Sequence, residues 1–153
     1  MKANFENIYS KIGYLFYAVA SEEMKLPSID YERLRKLVAK KWQPELDGST
    51  PLQIQLVEGM YNSIWVGFHS HMNSGTAFEL FKECYMVHNL NFSVSLREKI
   101  LVTVRDIARN FHTVLNGYNS GLLKNVEYLL TESRVVSATV LQTNSTQMRA
   151  GTV

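Results

Sequence analysis

The chain has 153 residues, 46% hydrophobic and 11% aromatic, which is typical of one globular domain and excludes wholesale disorder. The chain carries 16 bases and 14 acids. Two of the bases, Arg134 and Arg149, follow the last predicted helix, so residues 1–133 carry 14 bases and 14 acids. A neutral body disfavours nucleic-acid binding. The single cysteine, Cys84, excludes an intramolecular disulfide.

The sequence gives no sign of a membrane segment. No apolar run approaches the roughly 20 residues that a membrane-spanning helix needs. The opening residues, MKANFENIYSK, are too polar for a signal peptide. We therefore expect a cytoplasmic protein that does not insert into a membrane.

Helical periodicity dominates the first part of the chain. From Phe5 onward, apolar residues recur at steps of three and four and predict the first helix, which Pro27 prevents from continuing. Ser28 or Asp30 is expected to cap a second helix that ends near Trp42. This helix should have an apolar inner face and a basic outer face. The inner residues are Leu34, Leu37, Val38 and Trp42, and the outer ones are Arg33, Arg35, Lys36 and Lys40.

Two further helices are predicted between residues 50 and 88. Thr50 and Gln53 form a Thr-x-x-Gln capping box around Pro51, so the third helix should begin there. Asn73-Ser74-Gly75 is expected to end it. The apolar stripes are Val57, Met60, Tyr61, Ile64, Phe68 and His71 in the third helix, and Phe78, Phe81, Tyr85 and His88 in the fourth.

The segment NLNFS separates the fourth helix from two more. Ser95 and Glu98 are interpreted as a second capping box at the start of the fifth helix, and Gly117 to Gly121 as the turn before the sixth. The stripes are Ile100, Val104, Ile107, Phe111 and Leu115, then Leu122, Leu123, Val126, Leu129 and Leu130. Together these patterns predict an all-α fold, a single compact bundle of five to six helices.

Helical spacing stops near the end of the chain. We place a helical domain at residues 1–133 and a C-terminal tail, rich in Thr, Ser and Val, at residues 134–153. The tail is interpreted either as flexible or as a short strand added to a partner. In the second case, VVSATV would pair with another copy of the chain.

No set of catalytic residues is visible in the sequence. It contains no Gly-x-Ser-x-Gly motif and neither a GxxxxGK[ST] nor a GxGxxG phosphate loop. Glu22 and Glu23 are expected on an exposed turn, where carboxylates titrate near their ordinary values and are poor acids. We therefore expect a protein that is not an enzyme and has no cofactor.

Cys84 and His88 have a spacing that two metal ligands on one helix could have. They lie four residues apart on a predicted helix and hence on one face, and His71 precedes them near the end of the third helix. The interpretation that we favour is structural. Cys84 is then a small buried apolar residue, and both histidines lie at the edges of apolar stripes.

Two surface features concern binding. The segment ERLRKLVAKKW concentrates bases behind Asp30 and Glu32, the order that the helix dipole favours, so we interpret it as a solvated helix face rather than a nucleic-acid or anionic-membrane surface. Aromatic residues are numerous, and any that project outward would suit a protein interface. The candidates are Tyr14, Tyr17, Tyr61, Trp65, Tyr85 and Tyr118.

Residues 15–42, LFYAVASEEMKLPSIDYERLRKLVAKKW, resemble the opening of the TerB-like, tellurite-resistance type of helical domain. In that family a helix ending in Ala-x-Ala precedes an acidic turn and a basic-aliphatic helix. Here Ala18-Val19-Ala20 corresponds to the helix end, Glu23 and Leu26 to the turn, and Asp30 to the acidic start of the next helix. A later segment, LREKILVTVRDIARNF, resembles the core helix of the family.

The resemblance implies that acidic turns hold a divalent metal. The residues that correspond by position are Glu23 and Asp30, with Glu22 nearby. Met24 stands where the family has glycine, and Asn91-Phe92 stands where a second Asp-Gly turn is expected.

We therefore expect a non-enzymatic, TerB-like domain, related to stress, that binds a protein partner or another copy of itself and no nucleic acid. The alternative is a divalent metal-binding protein. It would use Glu22, Glu23 and Asp30, or else His71, Cys84 and His88.

Overall fold

The computed structural model describes residues 4–24, 26–43, 50–112 and 120–131, and all regular structure in these ranges is helical. The α-helices are α1 (Phe5–Ala20), α2 (Asp30–Trp42), α3 (Pro51–His69), α4 (Ser74–His88), α5 (Val94–Phe111) and α6 (residues 121–131). A 3₁₀ turn, Asn89–Asn91, joins α4 to α5. The predicted all-α bundle is confirmed. The predicted tail, residues 134–153, lies outside the described residues, as does Leu115.

Helix α1 is the central element of the bundle. It packs along α3 and α4 and also contacts α5. Its predicted stripe is buried, as Ile8, Ile12 and Leu15 illustrate. A Cβ at Gly13 would meet the carbonyl oxygen of Met60 and lie 2.9 Å from the Cβ of Ser63, so the two helices touch through their backbones.

Two predicted helix starts can be compared directly. The capping box of α3 is confirmed: the Thr50 N–H donates to Gln53 Oε1 at 2.9 Å, and the Gln53 N–H donates to Thr50 Oγ1 at 3.2 Å. The box predicted at Ser95 is wrong. Helix α5 begins at Val94, because the Ser93 hydroxyl accepts the Leu96 N–H at 3.1 Å.

The predicted cap of α2 is also wrong. Asp30 is the first helical residue, and the preceding Ile29 makes no side-chain cap. Instead, the Asp30 N–H donates to the Pro27 carbonyl and the Tyr31 N–H to the Ser28 carbonyl, both at 3.0 Å. These backbone hydrogen bonds satisfy the first N–H groups, which otherwise need a capping side chain.

The turn between α3 and α4 begins earlier than predicted. Helix α3 ends at His69, and His71 adopts a left-handed backbone with φ of 53°. Asn73 does not end α3. Its side chain caps α4 by accepting the N–H groups of Gly75 at 2.8 Å and Thr76 at 3.3 Å.

Helix α2 lies across α3 and α5, which are its main contacts among the described helices. Its predicted inner face is confirmed, since Leu34, Val38 and Trp42 are buried and Leu37 is half-buried. The Trp42 indole N–H donates to Thr103 Oγ1 of α5 at 2.8 Å. Within the described residues, no helix combines the length and apolar character needed to cross a membrane.

Candidate binding surfaces on helix α2

The acidic residues proposed for metal binding lie in different surroundings, and Glu22 has a structural role. Glu22 is half-buried rather than exposed, contrary to the prediction. Its Oε1 accepts the Ser120 hydroxyl, and its Oε2 accepts the Leu122 N–H at 3.0 Å. Both oxygens therefore stabilise the start of α6. Asp30 lies 3.8 Å from Arg33, and Glu23 is half-buried beside Glu22.

The alternative ligands lie in three different settings. His71 is exposed in the turn after α3, and His88 is half-buried at the end of α4. Cys84 is buried, as expected, and its Sγ accepts the Asn7 side-chain amide at 3.7 Å. Burial raises the pKa of the Cys84 thiol, and Lys11 lowers it to a smaller extent.

Neither metal set forms a cation site in the arrangement observed. Across the part of the chain that the structure describes, no three His, Cys, Asp or Glu side chains converge as ligands would. Ca²⁺ needs about six to eight oxygen ligands, and structural zinc about four ligands. Divalent metal binding stays a prediction that a cation titration tests.

Of the aromatic candidates for a protein interface, Trp65 is the exposed one within the described residues. Its side chain is 45% exposed, whereas Tyr17, Tyr61 and Tyr85 are buried and Tyr14 is half-buried. Tyr118 lies outside the described residues. The sequence identified Trp65 as a candidate but could not distinguish it from the buried aromatic residues.

Trp65 borders a groove of about 500 Å³ between α2 and α3, which we call the aromatic groove. Its lining residues are Tyr31, Arg35, Glu58, Tyr61, Asn62 and Trp65. The Trp65 ring stacks on His69 with 4.0 Å between centroids and 20° between planes. His69 Nδ1 also lies 3.0 Å from the Trp65 carbonyl oxygen. These contacts fix the indole at the surface.

Tyr61 forms the inner wall of the aromatic groove. Its hydroxyl donates to Gln43 Oε1 at 2.8 Å, and the Arg35 guanidinium lies 5.1 Å from its ring centroid. Burial raises the pKa of Tyr61, and Arg35 lowers it less. Burial likewise raises the pKa of Tyr31, and Arg35 lowers it to a smaller extent. Both phenols therefore stay protonated near neutral pH and present uncharged rings to a ligand.

A second groove lies on the opposite side of α2, between α2 and α5. It has a volume of about 480 Å³, and we call it the basic groove. Its lining residues are Arg33, Lys36, Leu37, Lys40, Lys41, Asp106 and Asn110. The exposed positions of Arg33, Lys36 and Lys40 agree with the outer face predicted for α2. No pattern in the sequence indicates that α5 completes a concave surface beside them.

No family model matches the chain, and no curated protein or solved structure shows significant similarity to it. The TerB-like resemblance of residues 15–42 therefore stays a prediction.

Proposed function

We propose that this protein is a non-enzymatic binding domain that holds an extended, proline-containing segment of a partner protein in the aromatic groove. The observation that carries this proposal is the state of Trp65, which is 45% exposed yet held by its stack on His69. Tryptophan is enriched among the residues that contribute most to protein interfaces, because its large ring offers both apolar area and an N–H group.

The rigidity of the groove supports binding. Tyr61 is held by Gln43 and lies under Arg35, and the Tyr31 ring packs edge-on against Phe68, with 6.3 Å between centroids. Aromatic rings held in place before binding lose little conformational entropy when a ligand arrives. Ordering the groove therefore offsets less of the contact energy when a ligand binds.

The chemistry of the lining favours an extended segment with an apolar centre. Arg35 and Glu58 contribute one charge of each sign, and Arg35 also lies 3.7 Å from Glu32. A neutral groove gives little attraction to a highly charged ligand. Aromatic-lined grooves suit polyproline II segments, because these are already extended and need little ordering.

A peptide selection tests the proposal. Short random peptides displayed on phage are selected on the whole chain, without any selection against the variant, and their affinities for Trp65→Ala are measured afterwards. Enriched peptides should share an extended, proline-containing core. Their affinity should fall about 30-fold in Trp65→Ala, because truncating an aromatic anchor costs about 2 kcal/mol or more.

The matched control is Tyr128→Ala, which removes another exposed ring, one on α6 that is 70% exposed. Selected peptides should bind this variant as tightly as the unmodified chain. Peptides that bind Trp65→Ala equally well would contradict the proposal. A monomer–dimer equilibrium abolished by Trp65→Ala would also overturn it, by showing a second copy as the occupant.

A further inference from the structure

The basic groove carries a local excess of positive charge, although the domain as a whole is neutral. Four of its lining residues are cationic and one is acidic, although residues 1–133 carry equal numbers of bases and acids. The single acid, Asp106, is already engaged. Its Oδ2 lies 3.1 Å from Lys41 Nζ and its Oδ1 lies 3.0 Å from the Arg109 guanidinium.

The remaining cations of the groove are available to a ligand. Among the described residues, Lys36 and Lys40 form no ion pair, and both side chains are exposed. Arg33 has its nearest carboxylate, that of Asp30, at 3.8 Å on an exposed surface, where such pairs are weak.

Arg33 is held in a fixed orientation. Its guanidinium lies 4.1 Å from the ring centroid of Phe111 and donates to the backbone carbonyl of Asn110. A guanidinium carries five N–H donors in a planar fork, so it can hold the carbonyl and still donate to phosphate oxygens. Packing on the ring fixes the plane of that fork before a ligand binds.

The spacing of the cations indicates the shape of the ligand. Arg33, Lys36 and Lys40 follow each other at steps of three and four, so they form one row along α2. The row is roughly 10 Å long at the helical rise per residue. A single phosphate would contact one end of this row, whereas a short chain of linked phosphates would contact all of it.

We propose that the basic groove binds a short condensed phosphate chain, either as an inorganic oligophosphate or as the phosphate chain of a nucleoside triphosphate. The seven lining residues are charged, polar or aliphatic, and the nearby ring of Phe111 lies under the Arg33 guanidinium. Among the described residues, this groove therefore offers no open aromatic face on which a base would stack. Recognition therefore depends on the phosphate chain.

Calorimetric titration of the whole chain with sodium tripolyphosphate tests this site. At constant ionic strength, tripolyphosphate should bind about tenfold or more tightly than monophosphate, because it engages more cations. A nucleoside triphosphate should bind about as tightly as tripolyphosphate. A preference of about tenfold or more for the nucleotide would overturn this mode of recognition, because it would require contacts to the base.

The double variant Lys36→Gln/Lys40→Gln should lose about tenfold or more in tripolyphosphate affinity. Its control is Lys82→Gln/Lys124→Gln, which removes the same charge from exposed positions on α4 and α6. Arg33→Lys keeps the charge but loses the fork, and should weaken binding as well. Equal losses in the two double variants would show non-specific attraction and overturn the proposal.

Two further outcomes distinguish this site from other interpretations. A single-stranded oligonucleotide that binds where tripolyphosphate does not would replace the proposal with nucleic-acid binding. Trp65→Ala should leave tripolyphosphate affinity unchanged, so failure of the peptide selection and failure of this site can be told apart. A loss of tripolyphosphate affinity in Trp65→Ala would contradict the assignment to the basic groove.

Discussion

Helices α1 and α2 both pack against α3, but α1 packs much more closely than α2 does. At the contact of α1 with α3, Gly13 lies against the Met60 carbonyl, and a Cβ at Gly67 would lie 2.6 Å from the Tyr17 ring. At the contact of α2 with α3, the Arg35 side chain extends over Tyr61, and a groove remains beside it. The first contact leaves no room for a ligand, and the second does. We therefore expect stability to depend on α1 and binding to depend on α2.

Gly13→Ala should have the largest effect on stability. Its new methyl group would overlap a backbone carbonyl of α3, which cannot rotate away as a side chain can. We expect a loss of about 3 kcal/mol in the free energy of unfolding, at the upper end of the usual cost of overpacking. Urea denaturation measures this loss.

The control for this variant is Gly59→Ala on α3. A Cβ at Gly59 would meet nothing within 4 Å, so alanine should raise the free energy of unfolding by about 0.5–1 kcal/mol through helix propensity. Equal effects at Gly13 and Gly59 would show that the contact of α1 with α3 is looser than the structure indicates.

Thr103→Val tests how α2 is attached to α5. The substitution removes the acceptor of the buried Trp42 N–H, whose hydrogen bond to Thr103 Oγ1 is 2.8 Å long. Leaving that donor unsatisfied should cost about 1–3 kcal/mol. The urea midpoint measures the effect, with Thr76→Val at an exposed position as the control. Equal midpoints for the two variants would show that this hydrogen bond contributes nothing.

Glu22→Ala separates capping from metal binding. The carboxylate stabilises the start of α6 through Ser120 and Leu122, so its loss should cost about 1 kcal/mol, as for other helix caps. This loss in the free energy of unfolding should be the same in the presence of a chelator and in the presence of added Ca²⁺, Mn²⁺ or Zn²⁺. A loss that appears only with a cation present would instead support the metal hypothesis.

Trp65→Ala should change stability least, by about 0.5 kcal/mol or less, because the ring is at the surface. The chain has two tryptophans, and Trp42 is buried while Trp65 is exposed. Acrylamide should therefore quench the native fluorescence strongly in Trp42→Phe and weakly in Trp65→Phe. The opposite order would contradict the positions assigned to the two rings.

The helices could be predicted from the sequence where the residues that specify them, the caps and the apolar stripes, lie close together in the chain. Thr50, Pro51 and Gln53 lie within one turn, and the apolar stripes repeat every three or four residues. The predicted start of α5 is wrong because contacts outside the first helical turn select its cap. Arg97 is buried and donates to the carbonyls of Phe92 at 2.8 Å and Asn89 at 3.0 Å. This arrangement orders the turn that places Ser93, rather than Ser95, at the cap.

The candidate sites could be predicted less well, because they depend on residues far apart in the sequence. Glu22 caps a helix that begins about a hundred residues later, so no local pattern indicates this role. The basic groove needs α5 beside α2, and the aromatic groove needs one exposed ring among several similar aromatic residues. Burial distinguishes these rings, and burial is a property of the folded chain.

Two quantities, measured for the unmodified chain, Trp65→Ala and Tyr128→Ala, test the separation of binding from stability most directly. One is the affinity for a selected peptide, and the other is the urea midpoint. We expect an affinity loss of about 30-fold in Trp65→Ala alone, with all three midpoints nearly equal. Unchanged peptide affinity in Trp65→Ala, or an affinity loss matched by a fall in its midpoint, would contradict the claim that α2 and α3 form a binding surface separate from the stabilising core.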